Sequence, residues 1–191
     1  MDKPNDFDKV QAYGDYTPLP AGAYYCKIMS VEETKSKAGK DMLKISLDIA
    51  EGEHKDYYTN AYKADTRDNK QWGCIVNQVL KNDDGSTSRG FKTFITSVEE
   101  SNNFFVTWGN KFAACLKGKL IGGLFRREEY LKQDGKTAWS TKCFNFRGIE
   151  SIAKGLPAPE DKPLAQTATG PYSFKEAMAT IPTLTDDDLP F

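Results

Sequence analysis

A mainly β fold of five strands, interrupted once by helix and followed by an acidic tail, is predicted from three observations. Residues 42–49 alternate strictly, Leu43, Ile45, Leu47 and Ile49 against Met42, Lys44, Ser46 and Asp48. That period of two is the mark of a strand with one face in a core. Residues 120–131 and 137–149 read as strands on either side of Asp134-Gly135, a strong hairpin signal. Between these two regions the apolar spacing lengthens to that of a helix.

Taken in order, residues 1–20 are polar and broken by Pro4, Gly14, Pro18 and Pro20, which predicts an arm on the surface. Leu19-Pro20-Ala21-Gly22 turns the chain into a first strand over 23–33, rich in Tyr, Ile and Val. A basic loop, Thr34-Lys35-Ser36-Lys37-Ala38-Gly39-Lys40, leads to the alternating strand. Glu51-Gly52-Glu53-His54 turns the chain again, and 57–63 is expected to be the third strand. Trp72, Ile75, Val76, Val79 and Leu80 then fall on one helical face, closed by Asn82-Asp83-Asp84-Gly85. Phe91, Phe94, Ile95 and Val98 repeat the spacing behind Ser88 as N-cap, and Asn110 is placed to cap a short helix carrying Phe112, Cys115 and Leu116. Residues 66–118 are therefore expected to be a helical insertion. After the hairpin, residues 156–185 form a linker rich in Pro, Thr and Ala, within which Ser173-Phe174-Lys175-Glu176 fits a capping box. Three strands, helix, two strands is the order of an OB-fold, a five-stranded barrel with helix between strands three and four. The expected domain is 21–155, followed by a disordered tail.

Composition narrows the function. No apolar run approaches transmembrane length and no signal peptide opens the chain, so a cytoplasmic protein without a membrane partner is expected. Cys26, Cys74, Cys115 and Cys143 are scattered without a C-x-x-C pair, which predicts reduced, buried thiols and no metal site. The net charge of −1 divides into −4 from residue 157 onward and +5 over residues 21–156. A basic body suits a phosphate partner. Catalysis finds little support. The single histidine, His54, sits in a charged turn. Lys37-Ala38-Gly39-Lys40 fails the phosphate-loop pattern, with Thr34 where Gly is required and Asp41 where Ser or Thr is required. Glu33-Thr34-Lys35 matches a nuclease fragment without an upstream Asp partner. No enzyme activity and no cofactor are expected.

Single-stranded nucleic acid needs a basic groove and aromatic faces for the bases. An OB-fold offers strands two and three, flanked by the loops joining strands 1–2 and 4–5. Those loops hold Lys35, Lys37 and Lys40, and Lys132 and Lys136, with Lys44 on the strand between them. Tyr57 and Lys63 share a face of the expected third strand, and Trp139 alternates with small polar residues. Arg126 and Arg127 point to opposite faces of a regular strand, and Arg127 is assigned to the groove. A core position competes for every aromatic. Tyr58, Tyr62, Phe125 and Phe144 are assigned to core or rim.

The last residues, Asp186, Asp187, Asp188, Leu189, Pro190 and Phe191, make an extended amphipathic peptide, because Pro190 forbids helix. Such a peptide suits capture by a partner with an apolar pocket and a basic rim; a solvated acidic tail is the competing reading. The stretch resembles the acidic tip of bacterial single-stranded-DNA-binding proteins, which implies docking of replication, recombination and repair enzymes. Leu19-Pro20-Ala21-Gly22-Ala23-Tyr24, Ser36-Lys37-Ala38-Gly39, Phe91-Lys92-Thr93-Phe94-Ile95-Thr96 and Gly122-Gly123-Leu124-Phe125-Arg126-Arg127-Glu128-Glu129-Tyr130 resemble segments of a phage protein family. Those proteins are encoded in replication and recombination cassettes and regarded as single-stranded-DNA-binding. Together the resemblances imply a protein that coats single strands during phage replication and recombination and recruits enzymes through its tip. Homo-oligomerisation is compatible with this. The alternative is an OB-fold interaction module or recombination mediator with little intrinsic DNA binding. The charge division also predicts that the tail competes weakly for the basic groove.

Overall fold

The computed structural model describes residues 3, 4, 7 and 17–164. The remainder of the arm, most of the linker and all of Asp186 to Phe191 lie outside the described residues. Five antiparallel strands form one sheet in the order β3-β2-β1-β4-β5. They are β1 (Gly22–Lys35), β2 (Asp41–Ile49), β3 (Ile75–Val79), β4 (Leu120–Leu131) and β5 (Thr137–Arg147). The helices are α1 (Tyr57–Ala64), α2 (Arg89–Asn102), α3 (Phe112–Leu116) and α4 (Ile149–Ala153).

The alternation of β2 is realised: Leu43, Ile45, Leu47 and Ile49 are buried against Cys26, Ile28 and Phe125 in one core. The opposite face of β2 is covered at one end, where Ser46 and Asp48 are also buried. Asp48 corrects the first expectation. Residues 57–63 are not a strand but α1. The Asp48 carboxylate accepts the backbone N–H of Tyr58 at 2.9 Å and of Thr59 at 3.0 Å, together with the Thr59 hydroxyl. These are donors that a helix N-terminus leaves without intrahelical partners. Asp56, in the capping position, takes the left-handed conformation with φ 57° and supplies no side-chain bond. A carboxylate from another element thus fills the capping role and complements the helix dipole.

The third strand is β3, which lies inside the stretch expected to be helical. Met42 pairs with Val79, Lys44 with Asn77 and Ser46 with Ile75. The outer edge of β2 needs a backbone partner, and Ile75, Val76 and Val79 are β-branched residues that suit a pleated surface. The entry to β3 is fixed at two points. Leu47 N–H donates to the Cys74 carbonyl at 3.1 Å, and the indole N–H of Trp72 donates to the Leu47 carbonyl at 2.7 Å.

α2 follows its predicted period, burying Phe91, Phe94, Ile95 and Val98. Phe94 meets Phe146 of β5 with ring centroids 5.1 Å apart. Asn110 lies inside a 3-10 turn, Gly109–Lys111, that leads into α3 rather than capping it. The β4–β5 hairpin turns at Asp134-Gly135, where Gly135 has φ 78° and Asp134 accepts the Lys136 N–H at 3.0 Å. The last strand ends at Arg147, two residues earlier than predicted, and α4 then packs over Gly122. A Cβ there would meet Ile152 Cγ1 at 2.5 Å and the Arg147 carbonyl at 2.8 Å, so only glycine permits this closeness.

The sheet is not closed into a barrel, which corrects the barrel expected from the strand order. Among the described residues, β3 and β5 are its two edges and are not hydrogen-bonded to each other. β3 is only 5 residues long, and a slot of about 260 Å³ separates it from β5.

The chain after α4 is ordered by β4 rather than by its own composition. Lys162 N–H donates to the Arg127 carbonyl at 2.8 Å and its carbonyl accepts the Glu129 N–H at 2.9 Å. It covers the part of β4 beyond Phe125, where β1 has ended at Gly22. Cys26 and Cys74 are buried, while Cys115 and Cys143 are half-buried. Burial pushes the thiols of Cys26 and Cys143 up, and that of Cys74 to about 12, so all three stay protonated. Among the described residues no group of three or more His, Cys, Asp and Glu side chains could hold a metal ion, and no helix is long and apolar enough to cross a membrane.

Candidate nucleic-acid interface

The outward face of β1, β2 and β3 forms the floor of a cleft. Register places Lys44 between Glu32 and Asn77, and Ser46 between Ser30 and Ile75. One wall is built by α1 and the segment before β3. It carries Tyr62, Lys70, Gln71 and Trp72, and the enclosed space is about 450 Å³. The rings of Tyr62 and Trp72 are 5.6 Å apart and inclined at 41°. Lys70 Nζ stands 4.6 Å over the Tyr62 ring and 3.4 Å from the Asp65 carbonyl. The Asp65 carboxylate is engaged by Arg67, which holds its pKa down to about 2. That turn is fixed by an exposed ion pair, and the Lys70 ammonium stays beside an aromatic face.

The slot between β3 and β5 continues this cleft, for Ile75 lines both. Its far side is β5 with Lys142 and Phe144 and β4 with Glu128. The Arg126 guanidinium lies 4.3 Å over the Phe144 ring and donates to Glu128 at 2.8 and 3.0 Å. Lys142 and Lys162 approach Glu128 at 3.9 and 3.8 Å. Three cations around one carboxylate leave a positive local charge. On the same face, the Ser140 hydroxyl is buried without a hydrogen-bond partner among the described residues. The surface therefore runs from Tyr62 and Trp72 across Lys44 and Asn77 to Phe144, with a cation over the rings of Tyr62 and Phe144. Cations alternating with π faces can neutralise phosphates while bases stack.

Residues 5–80 match the model of a family described as a protein of unknown function (DUF669). No curated protein matches the chain. The matched stretch takes in β1, β2, α1 and β3, and with them the cleft floor and the Tyr62–Trp72 wall. The β4–β5 side lies beyond it.

Of the residues named from the sequence, Lys44 lies on the cleft floor, 3.7 Å from Glu32. Lys35 is paired with Asp41 at 2.7 Å and Lys40 with Asp83, while Lys37 is exposed in the same loop. The Asp41 carboxyl is held below its usual range by that Lys35 hydrogen bond. Tyr57 is in the first turn of α1, its hydroxyl donating to the Thr17 carbonyl at 2.9 Å and its ring against Tyr58. It secures the arm. Lys63 is exposed in the last turn of α1, next to Tyr62. Lys132 and Lys136 are exposed at the hairpin tip. Arg127 and Trp139 share the face of the hairpin opposite Arg126 and Lys142. There Arg127 is bound by Asp161 and lies 5.5 Å over the Trp139 ring.

The structure thus gathers Lys44 with Tyr62, Lys70, Trp72, Arg126, Lys142 and Phe144. Of the two sequence options for Tyr62 and Phe144, core or rim, both take the rim. Lys70 and Trp72 fall in or beside a predicted helix that does not form. The one sequence cue to them is an aromatic residue directly after the polar run Arg67-Asp68-Asn69-Lys70-Gln71.

Proposed function

We propose that this groove binds single-stranded DNA. The observation that carries the proposal is the continuity of the cleft and slot through Ile75, which sets Tyr62, Trp72 and Phe144 and the lysines Lys44, Lys70 and Lys142 along one path. The strand order supports an OB-fold reading. Joining the edges of β3 and β5 would give the five-stranded OB barrel, and the groove lies on the strand 2–3 face that such folds use. In this reading residues 21–155 are the DNA-binding body of a protein that coats single strands in phage replication and recombination. Asp186, Asp187, Asp188, Leu189, Pro190 and Phe191 are the peptide that recruits partner enzymes.

The test is a fluorescence titration of the full chain with oligo(dT). Trp72 lies in the groove, so binding quenches tryptophan emission, and the affinity falls steeply as salt is raised. Absence of quenching and of any change in anisotropy of a labelled oligonucleotide at low salt would leave the interaction-module reading in its place.

A further inference from the structure

At the end of the sheet near the β1–β2 loop lies a second, apolar pocket of about 270 Å³ that shares no lining residue with the groove. Leu43, Leu80, Phe91 and Phe112 form its base, and Trp108 stands at its edge. Trp108 is stacked on Phe112, with centroids 5.3 Å apart and planes inclined at 18°, yet it is 62% exposed. Phe105, three residues before it, is 89% exposed. A tryptophan held in one orientation over an open apolar pocket is costly to leave in water and marks a docking surface.

We propose that this pocket receives the Leu189-Pro190-Phe191 segment of the same chain, with the preceding aspartates on its basic rim. Three features support this occupant. Its chemistry matches: an extended apolar peptide for the pocket and three carboxylates before it. Lys81, Lys92 and Lys111 each sit next in sequence to a lining residue and are exposed, against the single carboxylate of Glu33 in the lining. The reach is sufficient. The described chain ends at Leu164, and a segment the length of 165–185 spans up to about 70 Å when extended. Tethering gives an effective concentration on the order of millimolar when the linker matches the span, so a weak intrinsic contact is occupied. The docked segment is withheld from partners, and the surface of Trp108 is covered. The inference does not rest on DNA binding.

The experiment compares the indole N–H signals of the three tryptophans in the ¹⁵N-labelled full chain and in its Phe191→Ala variant. Circular dichroism of the variant first checks that the body is folded. The expected result is a shift of the Trp108 signal on substitution, with Trp72 and Trp139 unmoved, and no change when the protein is diluted tenfold. A Trp108 signal identical in the two proteins overturns the proposal. So does a Phe191-dependent signal that disappears on dilution, which assigns the pocket to a second copy. Photo-crosslinking from benzoylphenylalanine in place of Phe191 supplies the second readout. Intramolecular crosslinks to residues 105–112 are expected, whereas crosslinks confined to Tyr62 and Trp72 would put the segment in the groove and overturn the assignment.

Discussion

The indole N–H of Trp72 donates to the main-chain carbonyl of Leu47 at 2.7 Å. One aromatic side chain is thereby pinned to β2 while its ring lines the cleft beside Tyr62. Its orientation is fixed before any ligand arrives, which lowers the ordering cost of binding.

This arrangement separates two kinds of aromatic substitution. Phe144→Ala removes a half-exposed ring and is expected to weaken oligo(dT) binding by about 1–3 kcal/mol, the value of one stacked base, with little change in thermal unfolding. Trp72→Ala should lose similar affinity and also stability, because its hydrogen bond and packing go with it. Trp139→Ala, on the far face of the hairpin, should leave affinity unchanged. Equal losses from Trp139 and Phe144 would move the DNA path to the other face.

Charge gives the second prediction. Changing Lys44, Lys70 and Lys142 together to Ala should flatten the dependence of log K on log[salt] by roughly 0.7 for each phosphate no longer neutralised. The triple change of Lys35, Lys37 and Lys40 should flatten it less, since none of the three lines the groove and Lys35 and Lys40 hold Asp41 and Asp83 more closely than Lys44 and Lys142 hold Glu32 and Glu128. Salt titrations of the two variants, each checked for folding by circular dichroism, decide between groove and loop.

The third prediction concerns Asp48. Replacing it by Ala leaves the N–H groups of Tyr58 and Thr59 without their acceptor in a buried position. Destabilisation of about 1–3 kcal/mol per unsatisfied group is expected in urea unfolding. Because α1 carries Tyr62, DNA affinity per folded molecule should fall as well. An unchanged midpoint of unfolding would mean that α1 is held by its packing alone.

Asp65 supplies a pH prediction. Arg67 holds its carboxyl at about 2, below the ordinary value of about 3.9. A depressed folded pKa contributes stability that is present above the ordinary value and is lost as pH falls toward 2. The pair is exposed, so its contribution is small, and the readout is the carboxyl titration itself by NMR. Arg67→Ala should return the Asp65 midpoint to the ordinary range; a midpoint still near 2 would assign the shift to another group.

Elements whose signal is local were legible in the sequence. The alternation in β2 could only be satisfied by a strand with Leu43, Ile45, Leu47 and Ile49 inward, the Asp134-Gly135 turn set the final hairpin, and Phe91, Phe94, Ile95 and Val98 set the face of α2. Parity alone also put Lys44 on the outward face. The exchange of helix and strand between residues 57 and 80 came from long-range packing. Tyr57–Ala64 has enough aromatic character for a strand, and Ile75–Val79 fits either period over so short a run. Asp48 offers acceptors for a helix N-terminus, and the outer edge of β2 requires a backbone partner; neither demand is visible within the segments that meet it. The pairing of Tyr62 with Trp72 follows from that exchange, whereas Arg126 meets Phe144 through the register of the β4–β5 hairpin, and only the approach of β5 to β3 brings the two pairs to one groove. Groups distant in the chain meet only after the strands between and around them have chosen their neighbours.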